Sequence, residues 1–418
     1  MSVTWFSQRV FSLGDYRPFA MSDATSNPAC TSGPRITPVP PGTRLVHIGP
    51  HKTGTTAIQG ALFEARERLA EHGVEFPGDD RHPMHAALAV TARPSMMGDA
   101  EPDERHWRKL VDQVDATGGR TAVISSEFFS EAGEEAIGRI IEDLGGERVH
   151  VVVTLRPLVR IMPSQWQQYV QNGLRMGYEN WLHHMLRKAP YEKPNPSFWR
   201  RHRHDRLIER WTAAVGAENL TVIVVDDSDQ EMILRSFESL LGLPEQVLVP
   251  VPDAANRSLT LGEIEMVRHF NVAFRGSELP EPMYSRLIRY GAVAQMKTGR
   301  TPPAGEAKVT TPQWAVEAAA GIGAEIAERI GELGVRVVGD PGLLHKVPSA
   351  AGPEHEPSAP QLAPEAAAQA LFGVLSAQAC QPSPAANGKP VQEVPSGELV
   401  RVLARRTRRR LKRGLRRK

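Results

Sequence analysis

Cysteine is nearly absent: the chain has two in 418 residues, Cys30 and Cys380. Both lie in low-complexity stretches, so neither a disulfide framework nor a cysteine-based metal site is expected. A reducing, cytoplasmic compartment is the simplest expectation. Long apolar runs are also missing. The stretch 149–155, VHVVVTL, is among the longest, far short of the roughly 18–20 residues that span a bilayer. The N-terminus has Arg9 but no sustained apolar stretch and no cleavage site, so no secretory signal is expected. No repeat of solenoid period occurs. His183 with His184, and His202 with His204, lack the i, i+4 spacing of a helical zinc site, and no acidic partner completes a signature. No metal is expected.

What is present is unevenly spread. The formal charge is +2, from 50 basic and 48 acidic residues. Residues 396–418 hold eleven basic side chains and one acid, Glu398, for +10, while the remainder carries −8. Such asymmetry speaks of partners rather than of fold. Six of the 34 prolines fall in residues 1–42 and nine in 348–395. These Pro-, Ser-, Ala- and Gly-rich flanks bury too little surface to offset ordering entropy. Residues 1–42 are therefore expected to be a disordered arm, with Met21 as an alternative start. Residues 348–395 are expected to be a linker, with a short helix around 365–379.

Residues 43–347 are expected to form one α/β domain. Short apolar runs at 44–48, 121–125, 149–155 and 220–225, and a further one at 335–338, have the length and flanks of buried strands. Helical patterns cover 57–72, 131–144, 205–215, 232–241, 261–274 and 312–333. Gly73, Gly145 and Gly242 follow three of them as C-terminal caps. Strand–helix alternation predicts a three-layer fold, a central parallel sheet flanked by helices. Ligands of such sheets bind at the carboxyl ends of the strands.

The most informative stretch is 44–57, RLVHIGPHKTGTTA. A strand runs into a Gly/Thr-rich turn and then a helix. Gly54 suits backbone angles closed to other residues, Thr55 and Thr56 bring hydroxyls to the helix start, and the helix N-terminus favours an anion. An NTPase phosphate loop needs G-x-x-x-x-G-K-[ST]. Gly49 and Gly54 keep that spacing, but Thr55 stands at the lysine position and the lysine has moved to Lys52. A P-loop kinase or NTPase, and a non-catalytic module binding anions or membranes, are the alternatives on this footing.

Lys52-Thr53-Gly54-Thr55-Thr56 resembles the 5′-phosphosulfate loop of sulfotransferases that use 3′-phosphoadenosine 5′-phosphosulfate (PAPS), especially the bacterial and carbohydrate-modifying branches. The resemblance implies a P-loop-like fold, PAPS as sulfuryl donor, no metal, and release of 3′-phosphoadenosine 5′-phosphate (PAP). It implies that His51, Thr53, Gly54, Thr55 and Thr56 contact the cofactor, and that Lys52 steadies the charge on the leaving oxygen. It also implies a second anchor for the 3′-phosphate, an arginine ending a strand and a later serine. Arg156 and Ser164 answer to it, in TLRP and PSQW. Arg156 has the planar fork that phosphate prefers. Pro163 suits the first position of a helix, which would place Ser164 in the positive first turn. The stretch departs from many relatives, which have an acid after the arginine and a continuous helix from the proline to the serine; here Leu158 and a second proline, Pro163, intervene. Weaker similarity covers 207–227, 256–259 and 335–340, so the resemblance spans about 43–345.

Transfer to a hydroxyl (or an amine) of a carbohydrate, lipid or small molecule needs a group to take the acceptor's proton. Glu127, just past the strand 121–125, is one candidate; its other reading is a loop-bracing carboxylate. His85 and His82, in the loop after residue 78, are the others, unless they are solvated loop histidines. His51 could reach the sulfuryl group, whereas His47 has the pattern of a satisfied strand residue. The acceptor would be chosen by loops at 78–120 and 170–205.

In the tail, Leu399, Leu403, Leu411 and Leu415 recur in steps of four or eight among arginines. A solvated tail, a helix on an anionic membrane surface and non-specific contact with nucleic acid remain open. No aromatic interleaves the charges to stack bases.

Overall fold

A computed structural model describes residues 36–93, 103–188, 195, 197–251, 257–277, 279–347 and 360–379. The basic tail, residues 1–35 and both cysteines lie outside the described residues. Six strands form one all-parallel sheet: β1 (Arg44–His47), β2 (Val74–Glu75), β3 (Thr121–Ser125), β4 (Val149–Leu155), β5 (Leu220–Val224) and β6 (Arg336–Val338). Their order is β2-β3-β1-β4-β5-β6. Every residue of β1, β3, β4 and β5 is buried, as unbroken apolar strands in a sheet covered on both faces should be.

Alternation along the strands sorts the core into two layers. Val46, Ile124, Val151 and Val153 face one, with Ile161, Trp166, Trp181 and Trp211. Leu45, Val123, Val152 and Ile223 face the other, with Ile58, Leu62, Ile233 and Phe237. The helices Thr55–Glu64 and Met232–Leu241 cover this second face. The α/β architecture expected from the sequence is therefore present, with helices on both sides of a parallel sheet.

Several elements differ from expectation. The pattern at 57–72 is two helices, Thr55–Glu64 and Arg66–Glu71, broken at Ala65. The pattern at 131–144 begins with a separate 3₁₀ turn, Glu127–Glu131, before the helix Glu134–Asp143. Stretches read as loops hold the helices Met84–Val90, Arg105–Asp115, Tyr178–Arg187 and Ser197–His202.

Pro163 is not at a helix start. The helix runs Leu158–Gln171, with Pro157 at its N-cap and Pro163 inside. Proline at that position removes one bond, to the carbonyl of Val159, and Val159 borders an open groove. Ser164 consequently sits in the second turn, not the first.

The helix Pro364–Ala379 packs antiparallel on the π-helical stretch Ser285–Val293. Gly373 and Gly291 meet there so closely that a Cβ on Gly373 would lie 2.4 Å from the Gly291 carbonyl oxygen. The proline-rich stretch thus contains an element of the body.

Candidate functional site

The chain passes from β1 to β2 and β3 on one side, then crosses back to β4, β5 and β6 on the other. Connections diverge at the carboxyl ends of β1 and β4, the switch point where parallel sheets open a crevice. The sequence sends its most distinctive loop, residues 48–54, and Arg156 to this point.

The loop is held by short polar contacts. The Ile48 N–H donates to the Val152 carbonyl at 2.9 Å, carrying β1 one residue further beside β4. Gly49 has no room for a side chain: a Cβ would lie 2.1 Å from Thr154 Oγ1 and 2.5 Å from His47 Nε2. Lys52 has φ 72°, left-handed and unusual for a residue with a Cβ. Gly54, at φ 100°, caps the Thr55–Glu64 helix with no side-chain cap of its own, so the first amides of that helix stay available for an anion. The Thr53 hydroxyl donates to the Pro50 carbonyl at 2.7 Å, and that of Thr55 to the Gly49 carbonyl at 3.3 Å. Both hydroxyls face inward; only the Thr56 side chain is exposed.

Lys52 Nζ reaches Gln168 Oε1 at 3.5 Å, across to the Leu158–Gln171 helix. Burial lowers the Lys52 pKa; Glu127 opposes the shift and Arg289 adds to it. The arginine expected at the end of β4 is in place. Arg156 donates to the Lys52 carbonyl at 3.4 Å, and its Nε lies 2.9 Å from Asp227 Oδ1. Asp227 also faces Arg160 at 3.7 Å. Ser164 borders a different groove, of about 480 Å³, together with Arg160, Arg257 and Lys308. Arg160 lines this groove and the neighbouring one beside Asp227.

On the β3 side, Glu127 stands among three polar side chains. Gln59 Nε2 donates to its Oε2 at 3.3 Å, His82 Nε2 lies 3.2 Å from the same oxygen, and His51 Nδ1 is 4.0 Å from Oε1. Phe128 packs edge-on to His51 and stacks on His82. Burial presses the pKa of both histidines down, that of His51 well below the ordinary value, helped by Arg201 and Lys52. For His82 the Glu127 carboxylate works against the fall. His85 is not in this group. It is exposed, its ring 5.1 Å from His106, across a groove that His82 also lines.

The structure thus places Arg156 against the Lys52 carbonyl and both His51 and His82 beside Glu127, while Ser164 borders a separate groove and His85 is exposed. Sequence reasoning missed Gln59, Gln168 and Asp227. It also missed a buried cluster in which Arg201 and Arg93 both bind Glu131, at 2.5 and 3.1 Å. No local motif marks these residues, because their partners lie 38 to 116 positions away. Among the described residues no group of three or more His, Cys, Asp or Glu is placed to hold a metal ion.

No family model and no curated protein matches the chain. Among solved structures it is similar to a sulfotransferase from Alicyclobacillus acidocaldarius, at 16% identity over 62% of this chain and 97% of that one, with a TM-score of 0.37. A likeness at that score carries no argument, and what the site does has to be read from its own groups.

Proposed function

We propose that this chain is a sulfotransferase that takes a sulfuryl group from PAPS to an acceptor hydroxyl, releasing PAP. The observation that carries this reading is the loop 49–54 at the switch point, with its lysine at position 52 and Arg156 against its backbone. The pocket chemistry fits such a donor: glycine at 49 and 54 brings backbone close, uncapped helix amides face the crevice, and guanidinium groups stand on its β4 side. PAPS supplies the activated sulfuryl group, whose bond to the 5′-phosphate oxygen breaks as the acceptor oxygen bonds to sulfur. Lys52 donates to the oxygen that gains charge, and its lowered pKa makes it a readier donor. Arg156, turned from Asp227, holds phosphate in a bidentate grip. Glu127, oriented by Gln59 and His82, takes the acceptor's proton.

Titration calorimetry with PAP tests the reading. Binding in the micromolar range is expected, without Mg²⁺, and no heat at high micromolar PAP overturns it. Mg²⁺-dependent ATP turnover would instead favour a P-loop kinase or NTPase. Arg156→Ala is expected to weaken PAP binding about tenfold or more, since one charge-assisted phosphate contact is lost, with a smaller effect on turnover at saturating PAPS.

The base assignment has its own outcome. Glu127→Gln keeps the shape and the Gln59 contact but cannot accept a proton, so transfer is expected to fall about 10²–10³-fold. His85→Ala is expected to leave turnover within about threefold. The reverse ranking in a PAP-release assay would move the base to the outer groove.

A further inference from the structure

We infer that His47 is a positioning residue: as its Nε2–H tautomer it forms the centre of a one-way hydrogen-bond chain that holds the loop 49–54 in shape. The direction follows from counting protons, beginning where the donor is unambiguous. The Pro50 carbonyl can only accept, so the Thr53 hydroxyl, 2.7 Å away, spends its single proton there. Thr53 has none left for Thr154, so Thr154 donates across the 2.9 Å between the two hydroxyl oxygens. Thr154's proton is then spent as well, and the 3.0 Å contact from His47 Nε2 must carry its hydrogen on the ring nitrogen. Neutral imidazole has one N–H. Its Nδ1 is therefore bare and accepts from the Ser125 hydroxyl at 2.8 Å.

His47 is neutral because it is fully buried and no carboxylate is among these contacts; burial presses its pKa to about 3. Phe237 closes the ring edge-on at 5.1 Å. The chain thus runs from the tip of β3, through β1 and β4, into the loop. It passes directly beneath Gly49, and this is why a Cβ at that position would strike both Thr154 and His47. It turns the Thr53 side chain inward and thereby fixes the residue next to Lys52, which is held at φ 72°. Each proton has one place to go, so the geometry has no second arrangement of equal energy.

The kinetic consequence rests on the sulfotransferase reading of the loop; the tautomer does not. The test therefore has two arms on the full-length chain. In the first, NMR of protein labelled with ¹⁵N in the histidine rings identifies which His47 nitrogen carries the proton, the signal being assigned by its loss in His47→Gln. Protonated Nε2 and bare Nδ1 are expected, unchanged from pH 8 to about pH 5. An Nδ1–H tautomer, or titration near the ordinary histidine value, overturns the inference even when PAP does not bind.

The second arm compares Thr154→Val with Thr154→Ser by PAP calorimetry. Valine keeps the shape but strands the His47 N–H, and an affinity loss of about tenfold is expected. Serine keeps the hydroxyl and loses only a methyl, and affinity within about twofold is expected. A purely packing role gives the opposite order, and that order would overturn the positioning role. Wild-type protein that fails to bind PAP would sink the proposed function while leaving the first arm intact.

Discussion

Lys52→Ala is expected to lower sulfuryl transfer about 10³-fold while PAP affinity falls by no more than about tenfold. The size follows from the role proposed for the side chain. A fixed donor aimed at developing charge contributes about 10²–10³ in turnover when neutral, and a cation at the leaving oxygen should reach the upper end. The split follows because PAP already carries its 5′-phosphate charge. What PAP does not mimic is the extra charge that appears as the sulfur–oxygen bond breaks. The backbone supports the same view. Lysine at φ 72° costs roughly 1–2 kcal/mol relative to glycine, so the side chain must return more than that strain.

Lys52→Gly is the informative control, because it relieves the strain and still removes the ammonium. Single-turnover transfer should be as low in Lys52→Gly as in Lys52→Ala, though the glycine variant unfolds at higher denaturant. If PAP affinity dropped as far as transfer did, Lys52 would be a uniform binding group and the leaving-group role would be wrong.

What could be read without coordinates was local or periodic. The β-branched run of β4 and the apolar segments of β1, β3 and β5 declare themselves as buried strands, and the loop with Lys52 sits where strand meets helix. Arg156 was legible because it ends a strand. The position of Ser164 was misread because Pro163 has two homes, the first turn of a helix or an interior site where one carbonyl can face an open groove, and only packing chooses. Glu127 was seen, but its company was not. Gln59 comes from the helix after β1 and His82 from beyond β2, and a parallel sheet brings such distant residues together at one edge. His47 shows the limit most clearly. A satisfied strand histidine is what the pattern suggests and what the structure contains, yet the partners that satisfy it, Ser125 and Thr154, are what tie it to the loop.

The largest stability effect is expected away from the crevice floor, at Glu263. Its carboxylate is fully buried, with Arg257 in a two-pronged contact at 2.8 and 2.9 Å, Arg300 at 2.7 Å and the Thr260 N–H at 2.9 Å. It also completes the capping box of the Leu261–Arg275 helix. Glu263→Gln preserves the volume and removes the charge, leaving the nearly inaccessible Arg300 short of its counter-ion. Breaking such a pair costs about 3–5 kcal/mol. The lower end applies, because Arg300 retains Glu306 and Glu365. The exposed pair Arg275–Glu281 should show no measurable change on neutralisation.

The pH dependence has a definite sign. Burial alone would raise the Glu263 pKa, but Arg257, the Thr260 N–H and Arg300 bring it below its ordinary 4.5. A carboxyl depressed in the folded state contributes stability above the unfolded pKa and loses it as pH falls through the folded one. The wild-type protein should therefore lose this contribution only below about pH 4.5, and Glu263→Gln should lack that part of the acid transition. Urea titrations at pH 7 and in steps toward pH 3 measure both. Arg257, Thr260 and Glu306 also line the groove that holds Ser164, Arg160 and Lys308. Loss of the central carboxylate should consequently loosen that wall, and PAP binding should weaken in the variant even where it is still folded. Unchanged PAP affinity with lowered stability would separate the groove from the site.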